Sequence, residues 1–452
     1  MRRTQSIHGQ WSSRLVFVLA ATGSAVGLGN IWKFPYIAGE NGGGAFVLLY
    51  LVCIFAIGLP IMIAEIMLGR RGRQSPINTM STLAREEGLT PAWSLLGWMG
   101  VVTGFLILSY YSVIAGWALA YVFHAVGGMF EGIGADEADG LFVDLISDPA
   151  QLMLWHTLFM LLTVVVVARG VRSGLERAVE VMVPGLVVIL LALVGYAAVE
   201  GHFATGFQFL FSADFSRLNA NAVLTAMGHA FFTLSLGMGA IMVYGSYLAS
   251  RASIATTSFM VVIADTVVAL LAGLAIFPIV FAAGLEPGQG PGLIFKTLPI
   301  AFGQMPGGTF FGTLFFLLLV FAAWTSSISL VEPAVAWLVE NRGMQRAWAS
   351  IVTGALAWVL GVGTVLSFNL WSEGVIFGRT VFDILDYATS NVLLPLGGLL
   401  ITLFAGWLMS RASVSEELAL GNTVLFRLWY FLVRFVAPVG IFIVFLNVLG
   451  IL

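Results

Sequence analysis

Residues 22–35 read TGSAVGLGNIWKFP in the middle of an otherwise apolar stretch. Gly23, Gly27 and Gly29 weaken a helix there, since each glycine costs a helix interior about 1 kcal/mol relative to alanine. Unwound backbone inside a bilayer exposes N–H and C=O groups that lipid cannot satisfy, so such a break persists only where it lines a polar cavity. The N–H groups of Gly27, Leu28 and Gly29, at the start of a half-helix, carry partial positive charge suited to a carboxylate. Carbonyls released on the other side suit a hard cation, which takes oxygen ligands. A second interrupted stretch, FFTLSLGMG, fills residues 231–239. Two such breaks in corresponding halves point to a transporter with inverted repeats. Ala322, Thr325 and Ser326 fall one turn apart, so a carbonyl and two hydroxyls can converge on one ion. Close helix packing is the alternative use of Thr325, Ser326 and Ser327. Asp265 lies inside another apolar segment, where an unpaired carboxylate is costly and needs a cation or a proton.

These residues must be carried by membrane helices. The chain of 452 residues is 59% hydrophobic and 10% charged, with mean hydropathy +0.99, the composition of a polytopic membrane protein. We read eleven spanning segments at 12–37, 44–69, 95–126, 152–168, 179–199, 221–248, 253–283, 308–339, 347–366, 380–409 and 424–449. Arg70, Arg71, Arg73 and Arg85 follow the second segment, and Arg169, Arg172 and Arg177 follow the fourth. Glu131, Asp136, Glu137, Asp139, Asp144 and Asp148 lie in an opposite loop. The positive-inside rule then puts the N-terminus in the cytoplasm and, with an odd count, the C-terminus outside. Within the loop 284–307, LIFKTLPIAF is amphipathic enough for a short re-entrant helix. One cysteine, Cys53, excludes an intrachain disulfide, and there is no N-x-[ST] acceptor; both fit a bacterial inner membrane. No cleavable signal peptide is visible.

The motifs GSAVGLGNIWKFPY, ENGGGAF, FFTLSLGMGAI and AAWTSSIS resemble the neurotransmitter:sodium symporter family, in its bacterial amino-acid branch. The resemblance implies an all-α polytopic fold in one transporter domain, 1–451. Two inverted five-helix repeats, about 12–199 and 221–409, have their first and sixth helices unwound at mid-membrane, and one extra helix, about 424–449, follows. It implies one sodium at Ala25, Asn30, Thr233 and Asp265, completed by the substrate carboxylate, and a second at Gly23, Val26, Ala322, Thr325 and Ser326. Asp265 stands where the family usually has an amide ligand. We read it as both sodium ligand and substitute for chloride, so no chloride requirement is expected. The resemblance places substrate against Ser24, Ala25, Gly27, Leu28, Gly29, Ile107, Tyr111, Phe232, Thr233, Ser235, Met238, Ser326 and Leu330. Phe232 acts as lid, and the Tyr111 hydroxyl touches the carboxylate. Lys33 and Asp386 resemble an outer gate pair; Lys makes a point-charge contact there rather than a bidentate one. His229, one turn before Phe232, is a candidate bridge. Trp11, Ser246, Tyr247 and Glu340 fall at the inner gate. His8 stands where an arginine is expected, with Arg2 or Arg3 as substitutes. Glu65 is placed to accept N–H groups from an unwound segment, and Glu332 has no evident partner.

The amine-transporting relatives carry an aspartate in the first break, and here that position is Gly27. The site therefore suits an α-amino acid with its own carboxylate. The side-chain end is mostly apolar, and Met238 adapts to several shapes, which suggests hydrophobic or aromatic substrates. A small polar substrate such as glycine or taurine, proton coupling through Asp265, and a substrate-binding sensor are the rival readings. A channel would need a continuous polar helix face, which no segment shows. No Ser-His-Asp, metal-ligand or phosphate-loop pattern suggests an enzyme, and nothing suggests nucleic-acid binding. The expected partners are the substrate, sodium ions and membrane lipid.

Overall fold

The computed structural model describes residues 6–286, 292–374 and 378–448. Arg2, Arg3 and the end of the last segment at 449 lie outside them. The described chain is almost entirely helical. The helices are α1 Arg14–Ala25, α2 Gly29–Glu40, α3 Gly44–Gly72, α4 Pro76–Glu86, α5 Pro91–Val126 and α6 Ala135–Ser147. There follow α7 Pro149–Ala168, α8 Val171–Glu200, α9 Phe203–Phe211, α10 Ala220–Thr233, α11 Ala240–Ser246, α12 Ile254–Ala282 and α13, residues 293–304. The last are α14 Gly308–Arg342, α15 Arg346–Ser367, α16 Val381–Leu408, α17 Arg411–Leu418 and α18 Val424–Asn447.

Nine of these are long and apolar enough to cross a membrane, and the pair α1–α2, bent by 53°, makes a tenth. The count of eleven therefore depends on 221–248. There α10 and α11 are separated by six non-helical residues, Leu234–Gly239, and reach spanning length only together. The short helices α4, α6, α9 and α17 were not read from the sequence. Each is too short to cross a bilayer: α4, α6 and α17 mix polar with apolar residues, and α9 is apolar but only nine residues long. The amphipathic reading of LIFKTLPIAF corresponds to α13.

Polar side chains inside the spans are mostly neutralised locally. Ser112, Thr163, Ser258 and Ser327 each donate a hydroxyl to the carbonyl four residues earlier, which lets a helix carry hydroxyls through an apolar layer. Helix starts are capped by side chains: Ser13 accepts from Val16 N, Asp148 from Ala150 N, Asn219 from Ala222 N and Ser253 from Thr256 N. The inner layer packs α14 along α5 and lays α1 against α12 and α14, while α11 rests on α3. Glycine permits the last contact. A Cβ on Gly69 would lie 1.9 Å from the Met242 carbonyl oxygen.

Candidate functional site

The first break is sharper than three glycines alone would make it. Val26 is extended (φ −70°, ψ 106°) between α1 and the turn that leads into α2. The second break winds left-handed at Ser235 (φ 54°), Gly237 (φ 78°) and Gly239 (φ 75°). Glycine adopts such angles freely; serine does so only against resistance. Ser235 is held there because its hydroxyl donates to the Ser24 carbonyl (2.7 Å), joining the two breaks directly. Gly237 N donates to Glu65 Oε2 at 3.1 Å. The expected role of Glu65 as acceptor for an unwound segment thus has a geometric counterpart.

Between the breaks lies a cavity with about 330 Å³ of empty space. Of the thirteen residues expected around substrate, twelve line it: Ser24, Ala25, Gly27, Gly29, Ile107, Tyr111, Phe232, Thr233, Ser235, Met238, Ser326 and Leu330. Leu28 is the exception, and it faces an outer cavity instead. Two of the expected anion-binding N–H groups already have partners. Gly27 N donates to Asn30 Oδ1 (3.1 Å) and Leu28 N to the Tyr111 hydroxyl (3.1 Å).

Beside the cavity, Asp265 is fully buried and surrounded by donors. Asn30 Nδ2 donates to its Oδ1 at 2.7 Å, Thr233 Oγ1 lies 3.2 Å from both carboxylate oxygens, and Tyr50 OH is 3.4 Å from Oδ2. A carboxylate and two hydroxyls from three elements, with the Asn30 amide oxygen of α2 one turn away on Gly27 N, are oxygens of the kind a hard cation takes. Tyr50, from α3, was missed by sequence reasoning; a tyrosine in an apolar run carries no signal of its own. On the other face of α1, the Ser326 hydroxyl is within 3.2–3.4 Å of the carbonyls of Gly23, Ser24 and Val26. Thr325 Oγ1 donates to the Ala322 and Phe321 carbonyls, each at 3.1 Å. The residues expected for the second ion are therefore together, with Thr325 turned back on its own helix.

Above the cavity, Phe232 separates it from an outer cavity bordered by Lys33, Tyr110 and Asp386. Lys33 and Asp386 share that wall, and no ion pair joins them among the described residues. Lys33 Nζ sits 4.7 Å over the Phe232 ring, and Asp386 accepts from Ser390 Oγ at 3.0 Å. His229 does not bridge to Phe232. It is packed against Phe34 and Tyr50, with ring centroids 5.9 and 5.4 Å apart.

The opposite end is closed. His8 Nε2 lies 3.1 Å from Glu340 Oε1, so histidine meets the acid where an arginine is expected. Glu340 also accepts from Ser75 N (2.8 Å), Ser75 Oγ (2.6 Å) and Asn78 Nδ2 (2.8 Å). Trp11 Nε1 donates to the Tyr244 carbonyl and Trp11 N to that of Tyr247, both at 3.1 Å. Ser246 takes no part through its side chain, which donates to the Val243 carbonyl of its own helix (2.7 Å). Glu332 is paired after all: Tyr247 OH donates to it at 2.6 Å, and Arg346 forms an ion pair with it. Arg346, fourteen residues on across a helix turn, could not be matched to it by helical spacing. Arg73 ties the end of α11 to α3 through the carbonyls of Ser246 and Leu248. Burial, with the charge of Arg70 beside it, lowers the Arg73 pKa from its ordinary value.

Paired broken helices around a small cavity, with oxygen clusters beside it and opposite ends in different states of closure, define a multi-pass membrane transporter. The chain belongs to the sodium:neurotransmitter symporter family, whose model matches residues 8–130 and 142–451. The crystal structure of MhsT in complex with L-phenylalanine has a TM-score of 0.90 and 44% identity, covering 97% of this chain and 99% of that one. A Bacillus subtilis (strain 168) protein described as the uncharacterized sodium-dependent transporter YhdH is 41% identical, over 98% of each chain. The sodium- and chloride-dependent taurine transporter of Canis lupus familiaris is 27% identical, over 85% of this chain and 69% of its own. The chain is a sodium-dependent transporter and not an enzyme.

Proposed function

We propose that this protein is a symporter that couples sodium entry to import of hydrophobic or aromatic α-amino acids. The observation that carries the reading is the cavity between the breaks. Its wall combines the Gly29 main chain and the hydroxyls of Tyr111 and Ser326 with the apolar side chains of Ile107, Met238 and Leu330. That is the polarity of one amino acid with an apolar side chain. MhsT, which shares this fold, is described in complex with L-phenylalanine.

In this reading the substrate carboxylate completes the oxygen set of Ala25, Asn30, Thr233 and Asp265 around one sodium. A second sodium is held by Gly23, Val26, Ala322, Thr325 and Ser326. Because ion and substrate share ligands, each tightens binding of the other by the same factor. Asp265 supplies the buried negative charge, so chloride is not required. The repeats are 12–199 and 221–409, followed by the extra helix. The end closed by His8, Trp11, Tyr247 and Glu340 faces the cytoplasm of a bacterial inner membrane, and Lys33 and Asp386 close the outer end. The test is uptake of radiolabelled amino acids into proteoliposomes with sodium or potassium, each as chloride or gluconate. Uptake of phenylalanine or tryptophan should need sodium and ignore chloride. Equal uptake in potassium would refute sodium coupling, and failure in gluconate would refute the role of Asp265.

A further inference from the structure

A third cavity, partly open and with about 710 Å³ of empty space, lies against Phe232, and its wall carries Lys33, Asn221, Thr225, His229, Ser390 and Asn391. No Asp or Glu among the described residues lines it. Two acids stand behind its wall: Asp386, whose Oδ1 accepts from Ser390 Oγ at 3.0 Å, and Asp265, which Tyr50 OH meets at 3.4 Å behind the His229 ring. His229 is 2% exposed, and neither ring nitrogen has a hydrogen-bond partner. Phe34 and Tyr50 pack on its ring and offer its nitrogens nothing. A neutral imidazole always carries one N–H donor. Leaving a buried donor unmatched is unfavourable by about 1–3 kcal/mol. Lys33 brings three donors, and its close contact is the face of the Phe232 ring.

We propose that this cavity takes one small singly charged anionic group, held by the Lys33 ammonium and the His229 N–H. Lys33 borders both this cavity and the outer one that contains Asp386. An anion on the His229 side therefore competes with Asp386 for Lys33 and holds the outer gate apart. The charge has two possible sources, a free inorganic anion or the carboxylate of an amino acid in the vestibule. Crystals of the full chain grown in sodium bromide, and others grown with L-selenomethionine and sodium HEPES as the only salt, separate them by anomalous diffraction at the two absorption edges. Bromide density between Lys33 and His229 alone assigns a free ion. Selenium density in the same cavity assigns an amino-acid carboxylate. Lys33→Met and His229→Phe should each remove or strongly reduce the bromide peak. No peak from either probe in the wild type, or a bromide peak at full height in either variant, overturns the proposal. Selenium density in the central cavity bears only on the substrate reading.

Discussion

Ser326 and Thr325 sit one residue apart on α14, yet they use their hydroxyls differently. Ser326 reaches across to α1, whereas Thr325 folds onto α14 itself. For a cation at this point, each hydroxyl must offer its lone pairs while donating its proton elsewhere. Removing such an oxygen from a buried ion should cost roughly 1.5–3 kcal/mol, as for a hydrogen bond to a charged group. Ser326→Ala and Thr325→Ala should therefore raise the sodium concentration for half-maximal uptake by about tenfold or more; an unchanged value in both places the second ion elsewhere. Met238 is tested by bulk. Met238→Phe narrows the apolar end of the cavity, so competition by tryptophan should weaken by roughly 10–200-fold, more than competition by alanine or valine. An equal loss for all three would assign Met238 to helix packing alone. Asp265→Asn keeps an oxygen but removes the charge. Its uptake should fall in gluconate and recover in part in chloride, a comparison one assay makes directly.

At the scale of elements, the contact of α11 with α3 is the tightest constraint near the site. Gly69 touches the Met242 carbonyl so closely that Gly69→Ala must push the two helices apart, and Gly245 faces Ile66 in the same way. Overpacking of this kind costs typically 1–3 kcal/mol. The Gly69→Ala protein should melt at lower temperature in detergent and bind substrate more weakly, whereas Gly140→Ala, with open space around it, should do neither. A Gly69→Ala melting curve that overlays the wild type would remove this contact from the account. The contrast shows what a sequence discloses. The breaks at 23–29 and 231–239 were legible because glycine clusters are conspicuous in apolar runs, while the residues expected around substrate came from the family resemblance, and twelve of them line one cavity. What escaped was partnership across distance. Tyr50 meets Asp265, Arg346 meets Glu332, and Ser75 with Asn78 meets Glu340, through contacts 215, 14, 265 and 262 residues apart. Helical periodicity says nothing about such pairs. Nor did it reveal that α10 and α11 each fall short of spanning length.

The whole molecule is asymmetric along its length: knitted shut around Glu340, and unpaired between Lys33 and Asp386. Breaking the closed end should shift it. Trp11→Ala removes a packed indole and its hydrogen bond to the Tyr244 carbonyl. Amide exchange of residues 6–12 should then quicken, while the interior of α5 exchanges as before; unchanged protection of 6–12 would mean that the closure does not depend on Trp11. The bond between Ser235 and Ser24 has a consequence for biogenesis. Within the kinked stretch from 234 to 239, the N–H groups of Ser235 and Leu236 reach carbonyls of α10, but the Ser235 hydroxyl and Gly237 N find their acceptors on segments made earlier, at Ser24 and Glu65. Alone in lipid those polar groups would have no partner, each at several kcal/mol. A nascent chain that has inserted only its second half should hold 221–248 as one straight helix. The kink is then written into that half by the first, and the order of synthesis supplies the template before the copy.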